Sequence, residues 1–298
     1  MLLNNKISIR FYIRHILKQA FLIFLFANLV VISKWFIPWS FQIPISIAAI
    51  LGTCIALLLA FRTNQAYDRW WEARIAWGAI VNDSRSFIRQ LQTFLPVDTN
   101  HKTYLHPFVE RQCAWCYVLG DTLRRQPVSQ RLEEFLPSQE AKQVADAHNP
   151  PNMLLVKHAL AIRRLYDEAL ITDYQLVQLN ATLTNLTDSM GRCERIKNTV
   201  FPRTYTFNMQ VFIYLFASIL PFCFDDQYYY LDVPLVTLIS AAFILIEKSA
   251  IQLQDPFENQ PTDTPVTTIA RSIEISLKSM TGYTIIPELL VPERYYSL

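Results

Sequence analysis

Glycine is scarce here, and its scarcity removes whole classes of function. Five glycines occur in 298 residues: Gly52, Gly78, Gly120, Gly191 and Gly282. No GxGxxG turn or Walker-type phosphate loop can be built from them, which argues against a nucleotide enzyme. Five histidines (15, 101, 106, 148, 158) form no HExxH pattern and no nucleophile–base arrangement, so no catalytic residue is expected. Cysteine is equally sparse. The five (54, 113, 116, 193, 223) are odd in number and scattered, unlike a disulfide framework. Cys113 and Cys116 form one CxxC without a second pair, which reads as a buried helical pair rather than a zinc or redox centre. Net charge is only +2, which gives no electrostatic basis for nucleic-acid binding. The first apolar run lacks a small-residue cleavage site and is long enough to span, so no cleavable signal is expected.

What is abundant is apolar. The chain is 52% hydrophobic with a mean hydropathy of +0.18, values that suit a membrane protein with a sizeable aqueous part. The stretch from Thr53 to Trp77, TCIALLLAFRTNQAYDRWWEARIAW, organises the rest. No charge occurs from Phe41 to Phe61, 21 residues. At about 1.5 Å per residue that run crosses a hydrocarbon core of roughly 30 Å. Arg62, Asp68, Arg69, Glu72 and Arg74 follow at once. Asp68 and Glu72 are one turn apart and Arg62 and Arg69 two, on connected faces where ion pairs can form. The composition predicts a helix that leaves the bilayer and continues into water.

Three further spans are expected. Residues 21–39 are apolar except Lys34, which can snorkel beside Trp35 and Trp39. Ahead of them, Lys6, Arg10, Arg14 and Lys18 recur every four residues, an interfacial amphipathic or basic flank. Thr204–Phe224 is uncharged over 21 residues, and Asp225, Asp226 and Asp232 mark a turn beside Tyr228, Tyr229 and Tyr230. Val233–Ile246 holds only 14 uncharged residues, short for a span unless the tyrosines and Glu247-Lys248 lie among headgroups. The expected spans are therefore about 21–39, 41–61, 204–224 and 228–248, in two hairpins. Between them, 62–203 reads as mostly helical: Arg62–Phe94, Phe108–Arg124, a short Val128–Leu136, Met153–Ile171 and Asp173–Asn198. Leu136–Pro151 reads as loop, with Pro150-Pro151 a hard stop. The tail 251–298 carries the loop QDPFENQPTDTP and a helix near Val266–Met280. The fold class is all-α. Of 27 basic residues, all but Lys34 fall at the N-terminus, in 62–203 or after residue 246, which predicts that these three regions are cytoplasmic.

FRTNQAYDRWWEAR resembles the most recognisable segment of the bestrophin family of ion channels. CERIKNTVFPRTYT (Cys193–Thr206) resembles the segment that family carries before its third span, and QDPFE (Gln254–Glu258) the motif after its fourth. The resemblance covers nearly the whole chain, in order. It implies a homopentamer around a central pore, four membrane helices and a helical cytosolic region per subunit, and a cell-membrane location in a bacterium. It also implies an apolar neck on the second span and a lower cytosolic aperture. The neck positions are Thr53, Leu57 and Phe61; Thr53 stands where the family usually has a bulkier apolar residue, giving a wetter level there. The aperture is Phe201, where the family more often has isoleucine.

Read without the resemblance, Ala49, Thr53, Leu57 and Phe61 share one helical stripe. It either packs on neighbouring helices or, in a closed ring of copies, forms a hydrophobic constriction. Phe201 is either that aperture or a core aromatic at a helix start. Arg62, Asp68, Arg69 and Glu72 are expected as structural ion pairs near the pore exit. Eukaryotic relatives clasp calcium with a dense acidic run after the PF motif. Here Asp255, Glu258 and Asp263 are what is left of it, fewer than the oxygens a hard-cation site gathers, so neither a metal nor another cofactor is expected. The expected partners are further copies of the chain, the bilayer and permeant monovalent ions, chloride or other anions with sodium as a second possibility. A membrane-anchored scaffold without conductance is the competing function.

Overall fold

The computed structural model describes residues 9–36, 42–96, 101–199, 203–224 and 229–290. All regular structure within them is helical: α1 (Ile9–Phe36), α2 (Ile45–Phe94), α3 (His101–Leu123), α4 (Ser129–Phe135), α5 (Ser138–Ala145), α6 (Pro150–Asp167), α7 (Asp173–Asn198), α8 (Arg203–Ile219), α9 (Tyr229–Gln254) and α10 (Val266–Met280). A single 3-10 turn, Leu220–Phe222, follows α8. Four of these helices, α1, α2, α8 and α9, are long and apolar enough to cross a membrane. The chain divides into two compact units, one of residues 5–69 and 200–255, the other of residues 70–199 with those from 256 onward.

In the membrane unit the four long helices share one core. Ile23 and Ala27 of α1, Ala48, Ile55 and Leu59 of α2, Met209, Ile213 and Phe216 of α8, and Val236 and Ile244 of α9 are buried together. Most of these side chains are small or β-branched. In lipid, helices associate by close packing rather than by escape from water, so small residues at the contacts matter. Gly52 illustrates this: a Cβ there would come within 3.2 Å of Phe216 Cε2. α1 lies against α9, and Lys34 Nζ sits 4.0 Å from Asp232 Oδ2. α8 also packs against α9.

The larger unit is built on the second half of α2 and on α3, whose Phe108–Leu119 stretch is buried almost throughout. Trp77, Ile80, Phe87, Ile88 and Leu91 of α2 join Val109, Trp115, Val118 and Leu119 in its core. α10 closes over α3 with Ile269, Ala270, Ile273 and Leu277 facing inward. Tyr117 Oη donates to Glu274 Oε2 at 2.8 Å, and Lys278 pairs with the same carboxylate at 2.9 Å. Cys113 and Cys116 are fully buried free thiols in this core, and burial pushes the Cys116 thiol up to about 12, so neither is poised as a thiolate.

Three local features differ from the sequence expectation. α3 begins at His101 rather than Phe108, and Pro107 sits inside it at the cost of one helix hydrogen bond. The stretch 136–151 is not all loop, since it holds α5, eight residues that bury only Ala141 and Val144. So short a helix leaves little periodicity to read. Pro150 and Pro151 open a helix: they occupy the first turn of α6, and Asn149 Oδ1 accepts from the Asn152 amide at 3.1 Å. Glycine scarcity shows in the C-caps. Arg125 and Ala169 take the left-handed conformation after α3 and α6, at φ 57 and 54, positions where glycine is usual.

Candidate pore helix and its ion-pair clamp

α2 is 50 residues long, about 75 Å at the standard rise. Its first half divides cleanly by face. Ala48, Ile55, Leu59, Arg62 and Ala66 are buried in the membrane unit at 3% exposure or less. A step of two residues turns a helix by about 200°, so Leu57 and Phe61 point away from that buried stripe. They are 57% and 59% exposed, and Thr53 and Ala49 on the same stripe are also exposed. From Thr53 to Phe61 the stripe rises about 12 Å. The Thr53 hydroxyl donates to the Ala49 carbonyl at 2.8 Å. Its proton is therefore engaged with the helix backbone, and the hydroxyl oxygen keeps its acceptor capacity.

The residue after Phe61 is held from two sides. Arg62 is 1% exposed. Its Nη1 lies 3.4 Å from Glu247 Oε1 of α9, itself 3% exposed, and its Nη2 donates to Thr206 Oγ1 of α8 at 3.0 Å. Tyr205 Oη donates to the Leu58 carbonyl at 3.0 Å. Three side chains on two helices thus pin α2 where its apolar run ends. Two turns on, Arg69 Nε donates to the Gln254 carbonyl at 2.9 Å, with Nη2 3.9 Å from Asp255 Oδ1.

Three of the four charged residues singled out by spacing therefore meet partners far along the chain. Arg62 takes Glu247, Arg69 takes Asp255, and Glu72 pairs with Arg195 within the larger unit. Asp68 is exposed. Glu247, Thr206 and Tyr205 were not anticipated as part of the site. The usable signal was Glu247 itself, an ionisable group ending an apolar run, because such groups within membrane helices find partners. Phe201 lies outside the described residues.

The loop after α9 is held by its own acid. Asp263, 1% exposed, accepts from the Glu258 and Gln260 amides at 2.6 and 3.1 Å through Oδ2. Burial raises its carboxyl to about 6, against the opposing pull of those amides and of Arg124. Glu258 meets Lys197 Nζ at 2.6 Å. Among the described residues, no three His, Cys, Asp or Glu side chains converge as a metal site would require.

Four membrane helices, one of them the long α2 with an exposed apolar stripe beside a buried cation, define a multi-span membrane protein of the kind the three motifs resemble. Comparison with known proteins gives its family. The family profile described as Bacterial/Fungal Bestrophin protein matches residues 8–279, and the chain belongs to the bestrophin family. The voltage-dependent anion channel-forming protein YneE of Salmonella typhi is 34% identical over 271 residues, covering 90% of this chain and 87% of that protein. The protein of the same name in Escherichia coli K12 is 32% identical over 278 residues, with coverage of 92% and 90%. A crystal structure of a bacterial bestrophin homologue from Klebsiella pneumoniae superposes with a TM-score of 0.83 at 28% identity, covering 91% of this chain and all of that one.

Proposed function

We propose that this protein is a homopentameric ion channel of the bacterial inner membrane that passes small monovalent anions. Thr53, Leu57 and Phe61 of each subunit line its neck, and Phe201 forms a second aperture on the cytoplasmic side. Both termini and the 62–203 region face the cytoplasm. The observation that carries this reading is the division of α2. Its Leu57–Phe61 face turns away from the subunit's own core while Arg62 is locked into it. Four helices cannot enclose a conduit alone, so conduction needs a closed ring of copies, and the family supplies the number five. The anion preference rests on what the relatives are called; an apolar neck excludes water without choosing the sign of the ion.

The test is recording from purified protein in planar bilayers under an asymmetric NaCl gradient. A reversal potential near the chloride equilibrium value is expected. Leu57→Ala and Phe61→Ala should each raise conductance by widening the neck, while Leu59→Ala, on the opposite face and 1% exposed, should lower stability by about 2–5 kcal/mol. Absence of current from folded protein would favour the scaffold function. Increased current from Leu59→Ala alone would rotate the pore face.

A further inference from the structure

A cleft of about 340 Å³ in the larger unit lies between α3, α5 and α6. That is the lower end of the range for small-molecule sites, roughly 300–1,000 Å³. Its charge is lopsided. Arg111, Lys157 and Arg164 line it together with one carboxylate, Glu140. Lys157 and Arg164 are seven residues apart on α6 and so share a face.

The one carboxylate is already engaged. Glu140 takes Arg111 Nε at 2.7 Å and Nη2 at 3.2 Å, a two-pronged pair. Arg111 is 9% exposed, which fixes that pair as the floor of the cleft, and its Nη1 has no hydrogen-bond partner. Lys157 Nζ donates to a neutral acceptor, Gln143 Oε1, at 2.6 Å. Among the described residues neither Lys157 nor Arg164 meets a carboxylate. Arg163 does, at 2.8 Å from Asp167, so the neighbouring arginine is neutralised and this one is not. Glu140 does not fully screen Arg111 either: buried His158 is kept neutral first by desolvation and next by the positive charge of Arg111. Two uncompensated cations facing one polar cleft, with the Gln139 and Gln143 amides at its edge and Leu160 and Pro137 beside them, suit a compact dianion attached to a small body.

We infer that this cleft binds a small soluble phosphate monoester, with Lys157 and Arg164 gripping the phosphate and the Arg111–Glu140 pair holding the floor. A phosphate carries about −1.5 to −2 charges near neutral pH and accepts several hydrogen bonds, which matches two cations better than a single carboxylate does. The inference stands apart from conduction, because it concerns side chains of the larger unit alone.

The experiment is calorimetric titration of the full-length detergent-solubilised protein with inorganic phosphate and with glycerol 3-phosphate, at constant ionic strength to remove screening effects. Saturable binding is expected for both, tighter for the ester. Arg164→Ala and Lys157→Ala should each weaken it about tenfold or more, and both side chains are exposed enough for the fold to survive. Arg163→Ala, with equal loss of charge, should leave the dissociation constant unchanged. No saturation, or equal weakening by Arg163→Ala, would overturn the site. Binding seen only in nanodiscs containing phosphatidic acid would overturn the assignment to a soluble ligand.

Discussion

Glu247→Gln removes one charge and almost no volume from the most enclosed ion pair in the membrane unit. Arg62 and Glu247 are 1% and 3% exposed, so water does not replace the lost partner. At 3.4 Å and an effective dielectric near 20, the direct attraction is about 5 kcal/mol. Part of that is offset, since the substituted side chain no longer carries its own desolvation cost and its amide oxygen can still accept. Removing one member of a buried pair costs about 3–5 kcal/mol. The 3.4 Å separation is long for a charge-assisted bond, which places the expected loss near the lower end of that range, about 3 kcal/mol. The assay is thermal unfolding of detergent-solubilised protein, followed by the fraction still monodisperse after heating, with a fall in midpoint of roughly 5–10 °C expected. The double variant Arg62→Leu with Glu247→Leu removes both charges, and its stability should return to within about 1–2 kcal/mol of the natural protein. An unchanged midpoint for Glu247→Gln, or single and double variants equally damaged, would refute the clamp.

Two further outcomes follow from the larger unit. His158 is buried between Phe108 and Phe87, with ring centroids 5.7 and 5.0 Å away and neither ring nitrogen hydrogen-bonded, so its folded-state pKa lies well below the ordinary 6.5. Below pH 6.5 the unfolded chain takes up a proton that the folded one refuses, so this contribution is complete above that pH and declines as pH falls, by about 1.4 kcal/mol at pH 5.5. The raised carboxyl of Asp263 acts with opposite sign as pH falls through about 6, so the measurement is the difference in pH slope between the natural protein and His158→Gln; equal slopes would refute it. Ala169→Gly should raise stability by about 1 kcal/mol, because an exposed alanine at φ 54 pays a left-handed penalty that glycine does not; a lower unfolding midpoint would count against it.

How much of this could be read from sequence depends on distance along the chain. The membrane helices announce themselves because lipid demands long charge-free runs, and those from 41 to 61 and from 204 to 224 are continuous. The helices from 173 to 198 and 266 to 280 were legible from their apolar periodicity, and at the first of them a cap agrees with it, Gln175 Oε1 accepting from the Thr172 amide. The short α5 was not legible, since eight residues give barely two turns. Pairings were the least legible. Asp68 and Glu72 suggested local ion pairs by spacing, yet Glu72 reaches Arg195 and Arg62 reaches Glu247, 185 residues away. Spacing encodes neighbours on one helix; it carries no record of which helix the tertiary fold brings alongside.

The clamp limits how the proposed neck could open. Phe61 and Arg62 are consecutive and therefore about 100° apart around α2. Turning α2 far enough to swing Phe61 away from a central axis would carry Arg62 by the same angle. Glu247, Thr206 and the Tyr205 bond to Leu58 would all be lost together. Leaving that cation unpaired costs about 3–5 kcal/mol per subunit, and a symmetric ring would incur it in every copy at once. A change of rotamer at Phe61 incurs none of it, because the ring is 59% exposed within its own subunit and side-chain flips at exposed positions take picoseconds to nanoseconds. If the stripe is the neck, dilation by ring rotation on a fixed helix is favoured over rotation of the helix itself. Weakening the clamp with Glu247→Gln would then loosen the backbone beneath Phe61 and broaden the distribution of single-channel conductances, whereas Phe61→Ala would raise conductance to one sharper level.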